Sequence, residues 1–100
     1  MAKTTENTIA EAVLRIAAKQ PNGIATFHRL RKEIPHLVAL TGDDLAPSTT
    51  RYGEPMWHQI MRNIKSHSQA EGNYIQSGYL EHVPRVGYKI TQLGRKKITA

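Results

Sequence analysis

The N-terminal part of the chain carries apolar residues at helical spacing. One face is marked by Ile9, Ala12, Val13, Ile16 and Ala17. This pattern predicts a first helix that begins between Thr4 and Thr8 and ends at Lys19, because the segment 21–23, Pro-Asn-Gly, disfavours its continuation. Residues 8–11 resemble a capping box, and a start one turn earlier is the alternative.

A short strand and a second helix are predicted next. Residues 24–25 favour the strand, and Thr26 suits the N-cap of a helix over residues 27–34. The apolar positions of that helix are Phe27, Leu30 and Ile34. Pro35 disfavours helical geometry at the residue before it, so the helix is expected to end there. The segment 36–52 predicts a helical turn followed by a long loop, and loops of that length in small domains often carry function.

The third predicted helix, residues 55–67, has the clearest amphipathic pattern. Its apolar stripe consists of Trp57, Ile60, Met61 and Ile64, at positions i, i+3, i+4 and i+7. Glu54 and Pro55 suit its start, where a proline costs no hydrogen bond and an acid lies at the positive end of the helix dipole. Residues 71–73 break the helix, and 74–78 then form one short helical turn. The stripe must face a core, which leaves a polar face outward.

The C-terminal third predicts a β-hairpin and a closing helix. Aromatic and branched residues favour strands over 79–83 and 88–91, joined by a turn at 84–87. Thr91 can cap a final helical segment over 92–98. Leu93 and Ile98 are expected to return to the core.

The order of these elements predicts the fold class. We expect an α+β winged helix-turn-helix, with a three-helix core and a small antiparallel β-hairpin as the wing. A chain of 100 residues fits one such domain, residues 1–100. In this fold, helix 55–67 can lie in the major groove of DNA while the turn at 84–87 reaches the phosphate backbone.

Positive charge is concentrated in the C-terminal half. The formal net charge is +6. Residues 1–50 contain six Lys or Arg and five Asp or Glu, whereas residues 51–100 contain eight and three. A polyanion is the simplest partner for such a surface, because each neutralised phosphate releases condensed counterions. A positive charge that only keeps a small domain soluble is the alternative.

Two sets of side chains are candidates for contact with double-stranded DNA. The base-reading set, on helix 55–67, is His58, Gln59, Arg62, Asn63 and Ser66. Arginine pairs with guanine, and the amides of Gln and Asn pair with adenine. The phosphate-contacting set is Arg51, Tyr52, Lys65, Arg85, Lys89, Arg95, Lys96 and Lys97. An ordinary solvated helix face is the alternative interpretation of the first set.

Metal binding and catalysis have little support in the sequence. There is no cysteine. His58 and His67 are nine residues apart, on opposite sides of a helix, and cannot chelate one ion from it. The remaining histidines, His28, His36 and His82, have no cysteine or carboxylate at a recognised metal-ligand spacing. Phosphate-binding loops, nucleophile elbows and nuclease patterns are also absent from the sequence, so we expect neither an enzyme nor a bound cofactor.

The sequence also bears on cellular location. No apolar run approaches the roughly 20 residues of a membrane span, and the N-terminal residues are polar. We therefore expect a cytoplasmic protein with no membrane contact.

Three sequence blocks resemble a known class of domain: GEPMWHQIMRNIKSH, GNYIQSGYLEHVP and GYKITQLGR. Together they resemble the winged-helix domains at the N-terminus of Mrr-type restriction endonucleases and beside HNH-type nuclease domains in bacteria. The resemblance covers residues 53–97 and implies that the helix at 55–67 enters the major groove, with the loop at 84–87 as the wing. It implies a recognition role in a restriction-modification or regulatory system, with a nuclease as partner or neighbouring domain. Because no nuclease domain is visible in the chain, cleavage is not implied.

The alternative function is a protein–protein interaction winged helix that does not bind DNA. Such a function needs an exposed apolar patch, for which the candidates are Leu37, Val38, Leu40 and Val86. A homodimer through the alanine-rich face of the first helix is compatible with either function.

Overall fold

The computed structural model describes residues 4–49 and 53–99. Within them the protein is a small α+β domain of five helices and one antiparallel sheet with strand order β1–β3–β2. The helices are α1 (Glu6–Ala18), α2 (Phe27–Leu37), α3 (Gly42–Leu45), α4 (Met56–Ser66) and α5 (Gln92–Thr99); the strands are β1 (Ile24–Thr26), β2 (Leu80–Val83) and β3 (Gly87–Ile90). The predicted α+β class is confirmed. None of the helices in the described part of the chain is long and apolar enough to cross a membrane.

Helix α1 is the centre of the core, in contact with α2, α4, α5 and the sheet. Ile9, Val13 and Leu14 have no exposed surface. Ala12 and Ala17 are also buried within the chain, so the alanine-rich face proposed for a homodimer is already covered. Most of the apolar burial that stabilises the domain is therefore organised around this one helix.

The start of α1 lies at Thr5, whose side chain accepts a hydrogen bond of 3.2 Å from the amide of Thr8. The capping box predicted at 8–11 is therefore wrong, and the earlier start is correct. Buried Asn73 ties this start of α1 to the end of α4, because its amide donates to a Glu6 carboxylate oxygen at 3.0 Å and to the Ile64 carbonyl at 2.9 Å. This residue anchors the turn after α4 to α1.

The predicted strand at 24–25 and the Thr26 cap of α2 are confirmed. The Thr26 hydroxyl accepts a hydrogen bond from the Arg29 amide at 3.1 Å. The predicted end of α2 before Pro35 is wrong, since the helix continues to Leu37. The proline removes one hydrogen bond, but the Val38 amide donates to the Ile34 carbonyl at 2.9 Å beyond it, and burial of Ile34 holds the turn against α1.

The described residues between α2 and α4, 38–49 and 53–55, include α3, which is the helical turn predicted in this part of the chain. The capping box of α3 joins Thr41 and Asp44, so this helix follows the apolar residues 37–40 and does not include them. A bridge between Pro47 and Pro55 closes the base of the segment, with the Met56 amide donating to the Ala46 carbonyl at 2.8 Å. These bonds fix the direction in which α4 begins.

The hairpin and the closing helix lie close to their predicted positions. Strands β2 and β3 occupy 80–83 and 87–90, so the second begins one residue earlier than predicted. The Thr91 hydroxyl accepts a hydrogen bond from the Gly94 amide at 2.9 Å, as expected of a cap. Ile98 packs against the core, but Leu93 is 50% exposed, so its predicted return to the core is wrong.

Candidate nucleic-acid interface

Helix α4 presents its apolar stripe to the core as predicted. Trp57, Met61 and Ile64 are buried, and Ile60 is partly buried against the same core. The opposite side of the helix is therefore turned outward, between α2 and the β2–β3 hairpin. This orientation exposes Ser66 and part of Arg62, two members of the predicted base-reading set.

Arg62 is held in a defined position by Glu54. Its Nη1 atom lies 2.7 Å from Glu54 Oε1, and each side chain keeps about a third of its surface exposed (29% and 30%). Side chains on a helix lean toward its N-terminus, so Arg62 extends back along α4 to reach an acid that precedes the helix. The Arg62 guanidinium holds the pKa of Glu54 below its ordinary value, which keeps the carboxylate ionised.

His58 lies beside this ion pair, in surroundings that disfavour its charged form. Burial lowers its pKa, and the charges of Arg31 and Arg62 lower it further, although Glu54 acts in the opposite direction. Its Nδ1 atom is 3.4 Å from Glu54 Oε1 and makes no hydrogen bond of good geometry within the described residues. The ring also packs edge-on against Trp57, with centroids 4.4 Å apart. His58 thus contributes to the shape of the site more than to its charge.

Two adjoining clefts run along the outward face of α4. The first lies against α2 and is lined by Phe27, Arg31, Glu54, His58, Met61 and Arg62. The second lies against the hairpin and is lined by Phe27, Arg62, Lys65, Ser66, His82 and Tyr88. Arg62 and Phe27 belong to both clefts, so a continuous surface connects α2, α4 and β2. Arg31, Arg62 and Lys65 make that surface basic.

An aromatic cluster sets the position of α4 relative to the hairpin. Tyr88 packs edge-on against Phe27 at 5.7 Å and lies 5.7 Å from the His82 ring. Its hydroxyl donates to the Met61 carbonyl at 2.8 Å, and burial raises the pKa of Tyr88 to about 12. Burial and the charge of Lys65 lower the pKa of His82. The distance from α4 to the strands is therefore fixed by packing and one buried hydrogen bond.

Three other predicted base-reading residues differ in exposure. Ser66 is exposed, whereas Gln59 and Asn63 are partly buried. Gln59 Oε1 is buried and has no hydrogen-bond partner within the described residues. Of the predicted set, Arg62 and Ser66 therefore reach a cleft with polar atoms available, and Gln59 does not project freely.

Comparison with known proteins gives no relative. No family model, no curated protein and no solved structure matches the chain. The resemblance to Mrr-type and HNH-associated domains therefore stays a prediction.

Arg85 lies at the tip of the β2–β3 hairpin in an unusual backbone conformation. Its φ is 64°, and it is the one non-glycine residue with a positive φ in the described part of the chain. The Val86 amide donates to the Val83 carbonyl at 3.0 Å, so Arg85 is the third residue of a turn with Pro84 second. That arrangement is typical of a type II turn, in which glycine is the favoured third residue. An exposed arginine at this position is held there against its backbone preference.

The other predicted phosphate contacts that the structure describes are spread over different parts of the surface. Arg51 and Tyr52 lie outside the described residues. Lys65 is exposed on α4 and lines the second cleft. Lys89 is exposed opposite Glu81 on β2, on the face of the sheet that does not carry Tyr88. Among the described members, Lys65 thus lines a cleft beside α4 and Arg85 lies at the hairpin tip.

Two of the three basic residues of α5, Arg95 and Lys97, contact α1 and not the clefts. Lys97 Nζ lies 3.1 Å from Glu11 Oε1 and sits over the rings of Tyr74 and Tyr79, at 5.3 and 5.6 Å. The hydrogen bond to Glu11 and the contact with Tyr74 raise the pKa of Lys97. Arg95 Nη1 lies 3.4 Å from the Ala18 carbonyl. Lys96 is exposed, and neither it nor its two neighbours lines a cleft beside α4.

Six residues that line the two clefts were not predicted as DNA contacts from the sequence: Phe27, Arg31, Glu54, Met61, His82 and Tyr88. Spacing offered a signal for Glu54, because it precedes His58 by four residues and Arg62 by eight. Arg31 is brought to the cleft by the angle between α2 and α4, which sequence periodicity does not specify. Among the described residues, no group of three His, Cys, Asp or Glu side chains could hold a metal ion.

Proposed function

We propose that this protein is a DNA-binding winged helix, with α4 as the helix that enters the major groove and the β2–β3 hairpin as the wing. The observation that carries the proposal is the continuous basic surface from Arg31 through Arg62 to Lys65, which adjoins the hairpin. A helix with an outward polar face beside a cationic hairpin matches the shape and charge of the major groove and its phosphates. The strand order β1–β3–β2 also supports this interpretation.

The resemblance noted above extends the proposal to its biological setting. The protein would supply recognition to a restriction-like or regulatory system, and a nuclease would be supplied by a partner or another domain. The chain's own residues bind and position DNA in this proposal, and no bond-breaking step is assigned to them.

The protein-interaction alternative is weakened because only two of its four candidate residues are exposed. Val38 and Leu40 pack against the core, whereas Leu37 and Val86 remain 51% and 39% exposed. Single exposed apolar side chains are normal on monomeric proteins.

The proposal is tested by fluorescence-anisotropy titration of the chain with a random-sequence duplex at about 50 and 200 mM salt. We expect affinity to fall by about a hundredfold or more between the two conditions, as several phosphate contacts require. Absence of binding at the lower salt concentration would contradict the proposal and favour the protein-interaction alternative.

Arg85→Gly separates the charge at the hairpin tip from its backbone conformation. Because glycine tolerates the positive φ, the free energy of unfolding of the variant should equal that of the wild type or exceed it by up to about 1 kcal/mol. We expect the slope of log affinity against log salt to become shallower by about 0.9, the contribution of one phosphate contact. Arg85→Lys is the control that keeps the charge, and an unchanged slope in Arg85→Gly would remove this residue from the DNA contact.

Arg62→Ala tests base reading against phosphate contact. The variant should lose about tenfold or more in affinity for a duplex recovered by site selection, and only a few-fold, roughly, for a random duplex. Arg15→Ala is the matched control, because Arg15 forms a similar ion pair with Glu11 on α1, at 3.0 Å. Equal losses on both duplexes would show that Arg62 contacts phosphate and not a base.

A further inference from the structure

We propose that Glu54 and Arg62 act as one reading unit that selects a G·C base pair, with Glu54 as a specificity-determining residue in its own right. This inference rests on the DNA-binding function proposed above. It gives a function to Glu54, the one carboxylate among the described residues that line the two clefts, where a negative charge opposes the approach of phosphates.

The two side chains are already arranged side by side in the free protein. Arg62 Nη1 contacts Glu54 Oε1 at 2.7 Å, and neither side-chain head group forms another hydrogen bond within the described residues, since His58 Nδ1 lies 3.4 Å from the same oxygen without bonding to it. The second carboxylate oxygen of Glu54 and the remaining guanidinium donors of Arg62 therefore stay available. Because both groups are partly exposed in the first cleft, a ligand can reach them.

The available groups match the edge of one base pair. In the major groove a G·C pair presents the acceptors N7 and O6 of guanine and then the N4 amino donor of cytosine. Arg62 offers two donors and Glu54 offers one acceptor next to them, which is the complementary order. An A·T pair would set the adenine amino group against the guanidinium and the thymine O4 against the carboxylate, so both contacts would be repulsive. The carboxylate therefore adds rejection of A·T to the preference of arginine for guanine.

A purely structural role for the ion pair explains these observations less well. Partly exposed ion pairs contribute little to folding stability because solvent screens them. Glu54 also precedes the first turn of α4, and an acid there needs no arginine partner to be favourable. The ion pair instead fixes the Arg62 guanidinium, which therefore loses less conformational entropy on binding DNA than a mobile arginine would.

The test is selection of bound duplexes from a randomised library, with the wild-type chain, Glu54→Gln and Glu71→Gln. Glutamine has nearly the same shape and can still accept a hydrogen bond from Arg62, but its amide can also donate. We expect the wild type to enrich a motif with one position where G·C is preferred over A·T by about tenfold or more. Glu54→Gln should admit A·T at that position while binding a random duplex at least as well. Glu71→Gln removes the same charge from an exposed residue in the turn after α4 and should keep the wild-type motif.

Arg62→Lys is a second variant that tests the proposal even if Glu54→Gln folds poorly. It keeps the positive charge but loses the planar fork, so the guanine preference should fall at the same position of the motif. An identical motif for the wild type and Glu54→Gln, or effects of the two variants at different positions, would overturn the reading unit. A wild type that binds random duplex but enriches no G·C position would overturn it and leave DNA binding intact. A wild type that binds no duplex would remove both proposals.

Discussion

Gly87→Ala is expected to destabilise the domain by about 3 kcal/mol, the largest effect of a single methyl group that the structure predicts. A β-carbon at this position would lie 1.9 Å from the Ala25 carbonyl oxygen and 2.9 Å from the Thr26 α-carbon. Both are backbone atoms of β1, which pairs with β3 through Thr26 and Gly87. The contact cannot be relieved by rotating a side chain, so the two strands must separate.

Gly42→Ala is the matched control for that prediction. No atom lies within 4 Å of the β-carbon it would add, and the position begins α3. Replacing glycine by alanine there should be neutral or stabilise the protein by up to about 1 kcal/mol, because the unfolded chain loses freedom. Urea denaturation of the two variants and the wild type measures both effects. A Gly87→Ala variant within about 0.5 kcal/mol of the wild type would contradict the close approach of β1 and β3.

Asp44→Asn is expected to destabilise the domain by about 2 to 3 kcal/mol at neutral pH. The buried Asp44 carboxylate accepts hydrogen bonds from the Thr4 amide at 2.7 Å, from the Thr4 hydroxyl, and from the Thr41 amide at 2.8 Å. Asparagine offers one acceptor oxygen in place of two, so an amino group would face a donor. The variant should thereby loosen both the capping box of α3 and its attachment to Thr4, two residues before α1.

The same carboxylate makes stability depend on pH. Burial alone would raise the pKa of Asp44, but the hydrogen bonds from Thr4 and Thr41 outweigh it and hold the pKa below the ordinary 3.8. Because the folded pKa is the lower one, this contribution is complete well above 3.8 and is lost as the pH falls toward and through the folded pKa. Asp44→Asn should lack that part of the acid dependence, whereas Asp43→Asn, at an exposed neighbour, should keep it. Identical acid profiles for wild type and Asp44→Asn, from about pH 5 downward, would contradict the assignment.

The fold was predictable wherever apolar spacing decided it. The stripe of Trp57, Met61 and Ile64 placed α4 correctly, because burial of that stripe requires one helix orientation. Periodicity failed where tertiary packing opposed a local preference, as at Pro35, which α2 contains because the helix around it is held by the core. It also failed for Leu93, whose apolar side chain is half exposed.

The candidate site was predictable only in part, because sequence indicates which residues are charged but not which charges meet. Arg62 and Lys97 carry the same charge, yet one lines both clefts beside α4 and the other is paired with Glu11 on α1. The contact of Arg62 with Glu54 depends on the reach of a long side chain along a helix, which composition does not reveal. Base reading, phosphate contact and the winged-helix assignment remain predictions for the experiments above.

Trp57 is positioned to serve as an intrinsic fluorescence probe of the candidate site. It is the single tryptophan of the chain, it is 2% exposed, and its ring touches the His58 ring edge-on. His58 in turn lies beside Glu54, so the indole is one side chain away from the proposed reading unit. All tryptophan emission therefore originates behind the surface that is proposed to meet DNA, and rearrangement of the ion pair alters the immediate surroundings of the fluorophore. Association kinetics can consequently be followed by stopped-flow fluorescence without a dye on either molecule.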